Sequence, residues 1–187
     1  PHEDVARLVP AAHLVQASAL QRPYQTLPHV SIGDLAGFVE RLHSLGGRED
    51  LYELARDLQM EADDLLPLAE ATELLGFADV QEGDVLLTGA GQQFAGAGVL
   101  EQKALFRRGA LSRVSLIRQI TADLQAGHDH LPEDRILETL EQHFSPEEAK
   151  RQLDTAIDWG RYAELFAYED DTGEFSAGDS VPSLESG

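Results

Sequence analysis

Hydrophobic residues recur at helical spacing in a first block of the chain. Two apolar stripes indicate two amphipathic helices: Leu35, Phe38, Val39, Leu42 and Leu45 in one, and Leu51, Leu54, Ala55 and Leu58 in the other. Ser31 and Asp50 are the predicted N-caps, and Gly46 and Gly47 end the first helix. A third helix is predicted over about residues 63–75. It requires Pro67 to fall in the first turn, where backbone amides lack helical partners.

A second block repeats this pattern. Its apolar stripes are Val114, Ile117, Ile120 and Leu124, then Ile136, Leu137, Leu140 and Phe144, then Ala149, Leu153, Ala156 and Ile157. They predict helices over residues 112–125, which Gly127 ends, over residues 133–143, and from residue 146 onwards. Ser145, Pro146 and Glu148 give the third of these helices a strong start signal, with Ser at the N-cap, Pro at N1 and Glu at N3.

Each block ends in a pattern typical of a β-hairpin. Strand residues 165–168 and 174–176 flank the turn 170–173, after a helix that is predicted to end at Gly160. Earlier, Val80 and residues 85–87 flank the turn 81–84. Three short helices followed by a hairpin is the order of a winged helix. The sequence therefore predicts a mainly α (α+β) chain with two tandem winged-helix-like domains, each a three-helix bundle with a small β-hairpin wing.

The predicted domain organisation follows from these blocks. Residues 1–30 are an arm or linker, 31–98 the first winged-helix domain, 99–111 a connecting helix, 112–177 the second domain and 178–187 a disordered tail. Thr88 is expected to cap a helix. Residues 89–98 are mostly small, and we expect them to be flexible. We expect the connecting helix to break at Gly109. The start at Pro1 is compatible with loss of an initiator Met or with excision from a longer protein.

The net charge of the chain disfavours some classes of function. The chain carries 34 Asp and Glu against 14 Lys and Arg, a formal net charge of −20. This surface repels phosphate backbones and anionic lipid. Both predicted third helices and both wings are rich in acids, which disfavours nucleic-acid binding. No apolar run approaches the ~20 residues of a membrane helix. The absence of cysteine excludes disulfides and thiolate metal sites and fits a cytoplasmic location.

One basic segment stands against this acidic background. Residues 103–118 contain five cations and no acid: Lys103, Arg107, Arg108, Arg113 and Arg118. Two interpretations remain open. The segment is either a solvated helix face that balances the chain's own carboxylates, or a docking patch for an acidic partner surface.

Candidate chemistry is sparse elsewhere. His128 and His130 flank one residue in a loop and are weak metal candidates, but a third ligand cannot be placed, so a polar loop is the favoured interpretation. No phosphate-binding loop and no catalytic constellation is present. Trp159, Tyr162, Phe166 and Tyr168 at helix-to-hairpin spacing predict the core of the second domain rather than a ligand site. The sequence therefore predicts no enzyme activity and no cofactor.

Three stretches carry a family resemblance: LPHVSIGDLAGFVERL, DLQMEADDLLPLAEATELLGFADVQEGDVLLTGAGQQFA and AIDWGRYAELFAYEDDTGEFS. Across residues 27–177 the chain resembles the C-terminal AAA-associated domain of ABC-transporter ATP-binding proteins of the nitrate/sulfonate/bicarbonate type. The resemblance implies an accessory or regulatory domain that follows an ATPase domain, with no agreed catalytic or ligand residues. It also implies protein partners, namely the ATPase domain or transporter subunits, at the cytoplasmic face of the membrane. The chain has no Walker or ABC signature motif, so ATP hydrolysis cannot be assigned to it.

Three functional hypotheses result. The first is a non-catalytic accessory module of an importer ATPase that acts through protein contacts. The second is a winged-helix DNA-binding regulator that uses residues 103–118, and the third is a small-ligand or metal sensor in the crevice between domains. Homodimerisation is left open.

Overall fold

The computed structural model describes residues 24–127 and 130–178. Within them the chain forms eight helices and six short strands. Most of the predicted arm (residues 1–23) and nearly all of the predicted tail (residues 179–187) lie outside the described residues. No helix among the described residues has the length and apolar character needed to span a membrane.

The first repeat comprises residues 32–87 and contains three helices and three strands. They are α1 (Ile32–Ser44), β1 (Arg48–Asp50), α2 (Leu51–Leu58), α3 (Ala62–Leu74), β2 (Ala78–Gln81) and β3 (Asp84–Leu87). The strands form an antiparallel sheet in the order β1-β3-β2. The hairpin of β2 and β3 follows the prediction, whereas the short strand β1 was not predicted.

Two helices then lead to the second repeat, residues 115–177. The linking helices are α4 (Gly89–Gly96) and α5 (Val99–Arg113), and the second repeat consists of α6 (Ser115–Gln125), β4 (Leu131–Pro132), α7 (Glu133–Leu140), α8 (Pro146–Tyr162), β5 (Phe166–Glu169) and β6 (Glu174–Ala177). Its sheet has the order β4-β6-β5, so element order and strand order match those of the first repeat. The expected mainly helical α+β class is confirmed. Helix α7 ends before the predicted His143, and β4 was not predicted.

The predicted helix caps are confirmed. The Ser31 hydroxyl accepts a hydrogen bond from the backbone N–H of Asp34 at 3.1 Å, and the Ser145 hydroxyl accepts one from Glu148 at 3.2 Å. Asp50 caps α2 in the same way. Each cap satisfies amides that the first helical turn leaves without a partner.

The predicted helix breaks at Gly109 and Gly160 are wrong. Helix α5 continues through Gly109 to Arg113, and α8 continues through Gly160 to Tyr162. A Cβ at position 109 would lie 2.8 Å from the Leu75 carbonyl oxygen, and one at position 160 would lie 2.0 Å from Cζ of Phe166. Both glycines therefore serve close packing, and this need outweighs their weak intrinsic helix propensity.

The prediction that residues 89–98 are flexible is also wrong in part, because residues 89–96 form α4. Thr88 caps this helix as predicted, through a hydrogen bond from Gly91 N–H at 3.1 Å. Phe94 is fully buried and stacks on Phe77 with ring centroids 4.7 Å apart. This contact anchors a sequence of small residues that would not form a stable helix alone.

Pro67 lies in the second turn of α3, so the expectation that it falls in the first turn is wrong. The helix begins at Ala62, so Pro67 removes one bond to the carbonyl of Asp63. Asp63 is exposed, which lets water replace the missing donor. The helix is therefore compatible with this proline at a surface position.

One hydrophobic core extends through both repeats. Trp159 is completely buried, and Phe106 of α5 meets it edge-on with ring centroids 5.7 Å apart. Phe166 is 3% exposed and packs edge-on against Phe175. The prediction is confirmed for Trp159 and Phe166, whereas Tyr162 and Tyr168 are partly buried and pack against the core.

Candidate functional site

Helix α5 lies between the two repeats and contacts both. On one side Gly109 approaches the end of α3 at Leu75. On the other side Phe106 packs edge-on against Trp159 and Tyr162 of α8, with ring centroids 5.7 and 5.1 Å apart. Side chains on α5 are therefore placed by the packing of both repeats.

The five predicted docking cations all lie on α5 and α6, and we call them the basic seam: Lys103, Arg107, Arg108, Arg113 and Arg118. The four arginines line two surface grooves, two in each, and Lys103 lines neither. One groove of about 420 Å³ is lined by Arg107 and Arg118, together with Thr121 and Gln125 of α6 and Glu164 beyond α8.

The second groove has a volume of about 210 Å³ and lies where α5 meets the first repeat. Arg108 and Arg113 line it together with Leu75 and Gly76. The Arg113 side chain lies against Gly76, where a Cβ would be only 2.8 Å from Nε. Gly76 has a φ of 81°, a left-handed conformation that favours glycine.

Lys103 is the member of the basic seam that forms an ion pair among the described residues. Its ammonium nitrogen lies 3.2 Å from a carboxylate oxygen of Glu164 and 5.8 Å from the ring centre of Tyr162. Burial raises the pKa of the Tyr162 hydroxyl, and the charge of Lys103 partly offsets that rise. For this cation, the contact with Glu164 fits the interpretation as an internal charge balance.

The four arginines of the basic seam differ from Lys103. Within residues 24–127 and 130–178, none of them forms an ion pair with a carboxylate. Arg107 is half-buried, and the other three are exposed. The chain has a net charge of −20, so four arginines that lack an ion pair among the described residues make this surface locally basic, with Glu164 as the one acid that lines the larger groove.

Gln25 fixes the junction between the two basic-seam helices. Its carboxamide donates a hydrogen bond to the carbonyl of Arg113 at 2.8 Å and accepts one from the N–H of Ser115 at 2.8 Å. These bonds bridge the break at Val114, where α5 ends and α6 begins. No local pattern links residue 25 to residue 113, so this role could not be predicted from the sequence.

The segment at residues 24–30 is held on α8 by further polar contacts. His29 bonds Thr155 through Nδ1 at 2.7 Å and Glu148 through Nε2 at 2.8 Å. Trp159 donates its indole N–H to the Val30 carbonyl at 3.2 Å. This part of the predicted arm therefore connects the second repeat to the start of α1.

The predicted histidine candidates form no metal centre in the part of the chain that the structure describes. His128 lies outside the described residues. His130 is exposed, and its Nδ1 lies 3.5 Å from a carboxylate oxygen of Glu174. Among the described residues, no group of three or more His, Cys, Asp or Glu side chains is arranged to hold a metal ion.

The face that would read DNA in a winged helix is acidic in the first repeat. Helix α3 carries Asp63 and Asp64 in its first turn and no basic residue in its last. In the second repeat, Lys150 of α8 forms ion pairs with Asp154 and Glu133, at 2.9 and 3.9 Å. Neither surface presents the free cations that phosphate binding requires.

Tyr168 and Glu133 occupy the same region of the second repeat. The Tyr168 hydroxyl donates a hydrogen bond to the Glu133 carboxylate at 2.5 Å. Burial, followed by this hydrogen bond, raises the pKa of Tyr168 to about 12. The hydroxyl therefore stays protonated at neutral pH and acts as a donor that joins β5 to α7.

Comparison with known proteins identifies one family. A family model described as "C-terminal AAA-associated domain" matches residues 52–169. The match includes α5, all five cations of the basic seam and most of both repeats. No curated protein and no solved structure matches the chain.

Proposed function

Because the chain belongs to the family of C-terminal AAA-associated domains, we propose that it is a non-catalytic accessory and regulatory domain of an ABC importer ATP-binding subunit. The importer would be of the nitrate, sulfonate or taurine type, with this domain at the cytoplasmic face of the membrane. The family match fits an accessory domain rather than a catalytic ATPase domain, and no catalytic constellation was found in the sequence.

We further propose that each repeat is a winged-helix domain, with boundaries near residues 31–98 and 112–177. The matched order of helices and strands supports this assignment. In this arrangement β2 and β3 form the first wing, and β5 and β6 form the second. The wings and third helices carry acids, so contact with protein is favoured over contact with nucleic acid.

The observation that supports the proposed function most strongly is that the four basic-seam arginines lack ion-pair partners among the described residues. Arg107, Arg108, Arg113 and Arg118 have no ion-pair partner among the described residues of an otherwise acidic chain. Guanidinium groups in surface grooves bind carboxylates in fork geometry and help to select a partner and its orientation. The basic seam would therefore dock on acidic side chains of the ATPase domain or of a transporter subunit.

The test uses an ATP-binding subunit of this importer type from which its own C-terminal domain has been removed. Its ATP turnover is measured alone and with a titration of this chain. A saturable change in turnover, weakened by added salt, is expected if the chain regulates through charged contacts. The proposal fails if the subunit neither binds the chain nor changes its turnover. A duplex-DNA titration at low salt, run in parallel, is expected to give no complex.

A further inference from the structure

A small apolar groove opens on the first repeat, away from the basic seam. It has a volume of about 230 Å³, and its lining includes Leu51, Tyr52, Asp63, Leu65, Leu66 and Gly83. Tyr52 is 72% exposed and Leu66 is 42% exposed. Two of the four large exposed hydrophobic side chains among the described residues therefore meet at one site.

The position of the groove is held by the backbone. The N–H of Leu51, at the start of α2, donates to the Gly83 carbonyl in the turn between β2 and β3 at 2.9 Å. Gly83 has a φ of 87°, a conformation that favours glycine. It brings no side chain into the groove, so the turn forms one wall and leaves the space open.

The second repeat shows that the fold does not require these apolar side chains. Leu66 is the fifth residue after the N-cap Glu61 of α3, and the fifth residue after the N-cap Ser145 of α8 is Lys150. In the same way, Tyr52 and Asp134 are each the second residue after their N-caps. Charged residues thus occupy both positions in the second repeat. The packing of these two helices therefore does not require apolar residues at these positions, and the exposed Tyr52 and Leu66 are particular to the surface of the first repeat.

One carboxylate lines the groove, and three more lie next to lining residues along the chain. Asp63 lines it, and Glu61, Asp64 and Glu82 are chain neighbours of lining residues. Within the described residues, none of these four forms an ion pair with a cation. A ligand that combines an apolar anchor with adjacent positive charge would complement this surface, whereas the carboxylates would repel an acidic segment.

We propose that this acid-rimmed groove binds an amphipathic helical segment of a protein partner, with an aliphatic side chain inserted between Tyr52 and Leu66 and with Lys or Arg flanking it. Apolar anchors that enter a pocket, surrounded by polar contacts, are the usual centre of such an interface. The groove and the basic seam carry opposite charge, so the domain has two docking faces with different partner chemistry.

The test uses two labelled synthetic helical peptides that share a leucine face. One has lysines at the flanking positions, and the other has glutamates there. Fluorescence anisotropy gives the Kd of each peptide for the whole chain. The lysine peptide is expected to bind and to weaken as salt is added, while the glutamate peptide does not bind.

Variants locate the binding site. Tyr52→Ser and Leu66→Ser are each expected to raise the Kd of the lysine peptide by about tenfold, because each removes an apolar wall. Leu100→Ser is the matched control, since Leu100 is 81% exposed and does not line the groove. Circular dichroism of each of the three variants checks that it is folded.

The outcomes separate this proposal from the function proposed for the basic seam. Charge reversal of Arg107 and Arg118 is expected to leave peptide affinity intact. Lack of binding by the lysine peptide, equal binding of both peptides, or an equal effect of Leu100→Ser would each overturn the proposal.

Discussion

The side chain of Gln152 pairs with both backbone polar groups of Leu27. It accepts a hydrogen bond from the Leu27 N–H at 2.7 Å and donates one to the Leu27 carbonyl at 3.0 Å. Both residues are 1% exposed, so water cannot replace either bond. The pair fixes the segment that enters α1 of the first repeat onto α8 of the second repeat.

Replacement of Gln152 by leucine is expected to destabilise the fold. The change would leave the N–H and the carbonyl of Leu27 buried without partners, and each unsatisfied group costs about 1–3 kcal/mol. We expect the free energy of unfolding to fall by at least ~2 kcal/mol, measured by urea denaturation. Gln142→Leu is the control at an exposed position and is expected to change stability by no more than ~0.5 kcal/mol. Equal effects of the two substitutions would contradict the assigned role of Gln152.

Two helical glycines give opposite predictions for substitution by alanine. Gly160→Ala would place a Cβ 2.0 Å from the Phe166 ring, so we expect a loss of about 1–3 kcal/mol from overpacking. Gly37→Ala in α1 meets no atom within 4 Å and should stabilise by about 0.5–1 kcal/mol through helix propensity. Thermal unfolding of both variants measures the contrast. A melting temperature of Gly160→Ala at or above that of the original chain would show that the Phe166 contact does not constrain this position.

The helical glycines Gly109 and Gly160 show which features of the fold could not be predicted from the sequence. The apolar stripes of α1 and α6 could be predicted because their period of 3.6 is a local property of the sequence. Gly109 and Gly160 were misinterpreted as helix breaks because their reason lies in contacts with Leu75 and Phe166, which no local pattern reveals.

The short strands were missed for a related reason. Strand β1 has only three residues, and it exists by pairing with β3, in which Arg48 lies opposite Leu86. No alternating pattern can be recognised over so few positions. The same limit applies to β4.

The basic seam was visible in the sequence as a run of cations without an acid. The division of its four arginines between two grooves was not visible, because that depends on how α5 packs between the repeats. The acid-rimmed groove was missed entirely, since Tyr52 and Leu66 are distant in the chain from Gly83 and meet only in the folded repeat.

The carboxyl group of Glu148 predicts a specific dependence of stability on pH. Hydrogen bonds from Gln152 and then from His29 lower the pKa of Glu148 in the folded chain. A carboxyl with a lowered folded pKa contributes stability above its unfolded pKa, about 4.3, and loses that contribution as the pH falls through the folded pKa.

Glu148→Gln is therefore expected to be less stable than the original chain at pH 7, and this difference should shrink as the pH falls below about 4.3. Urea unfolding between neutral and acidic pH measures it. Glu147→Gln removes the same charge from an exposed neighbouring residue and is the control for charge alone. A difference that stays constant or grows as the pH falls would refute the assigned role of the Glu148 hydrogen bonds.

The central claim is that the basic-seam arginines dock on an ABC ATPase subunit, and affinity measured with charge-reversed variants tests it most directly. The double variant Arg107→Glu with Arg118→Glu reverses the charge of both arginines that line the larger groove. Arg56→Glu with Arg135→Glu changes the net charge equally at exposed positions outside the basic seam. Isothermal titration calorimetry against the ATP-binding subunit lacking its own C-terminal domain should show at least about tenfold weaker binding for the first variant only. Equal Kd values for the two double variants would contradict the account.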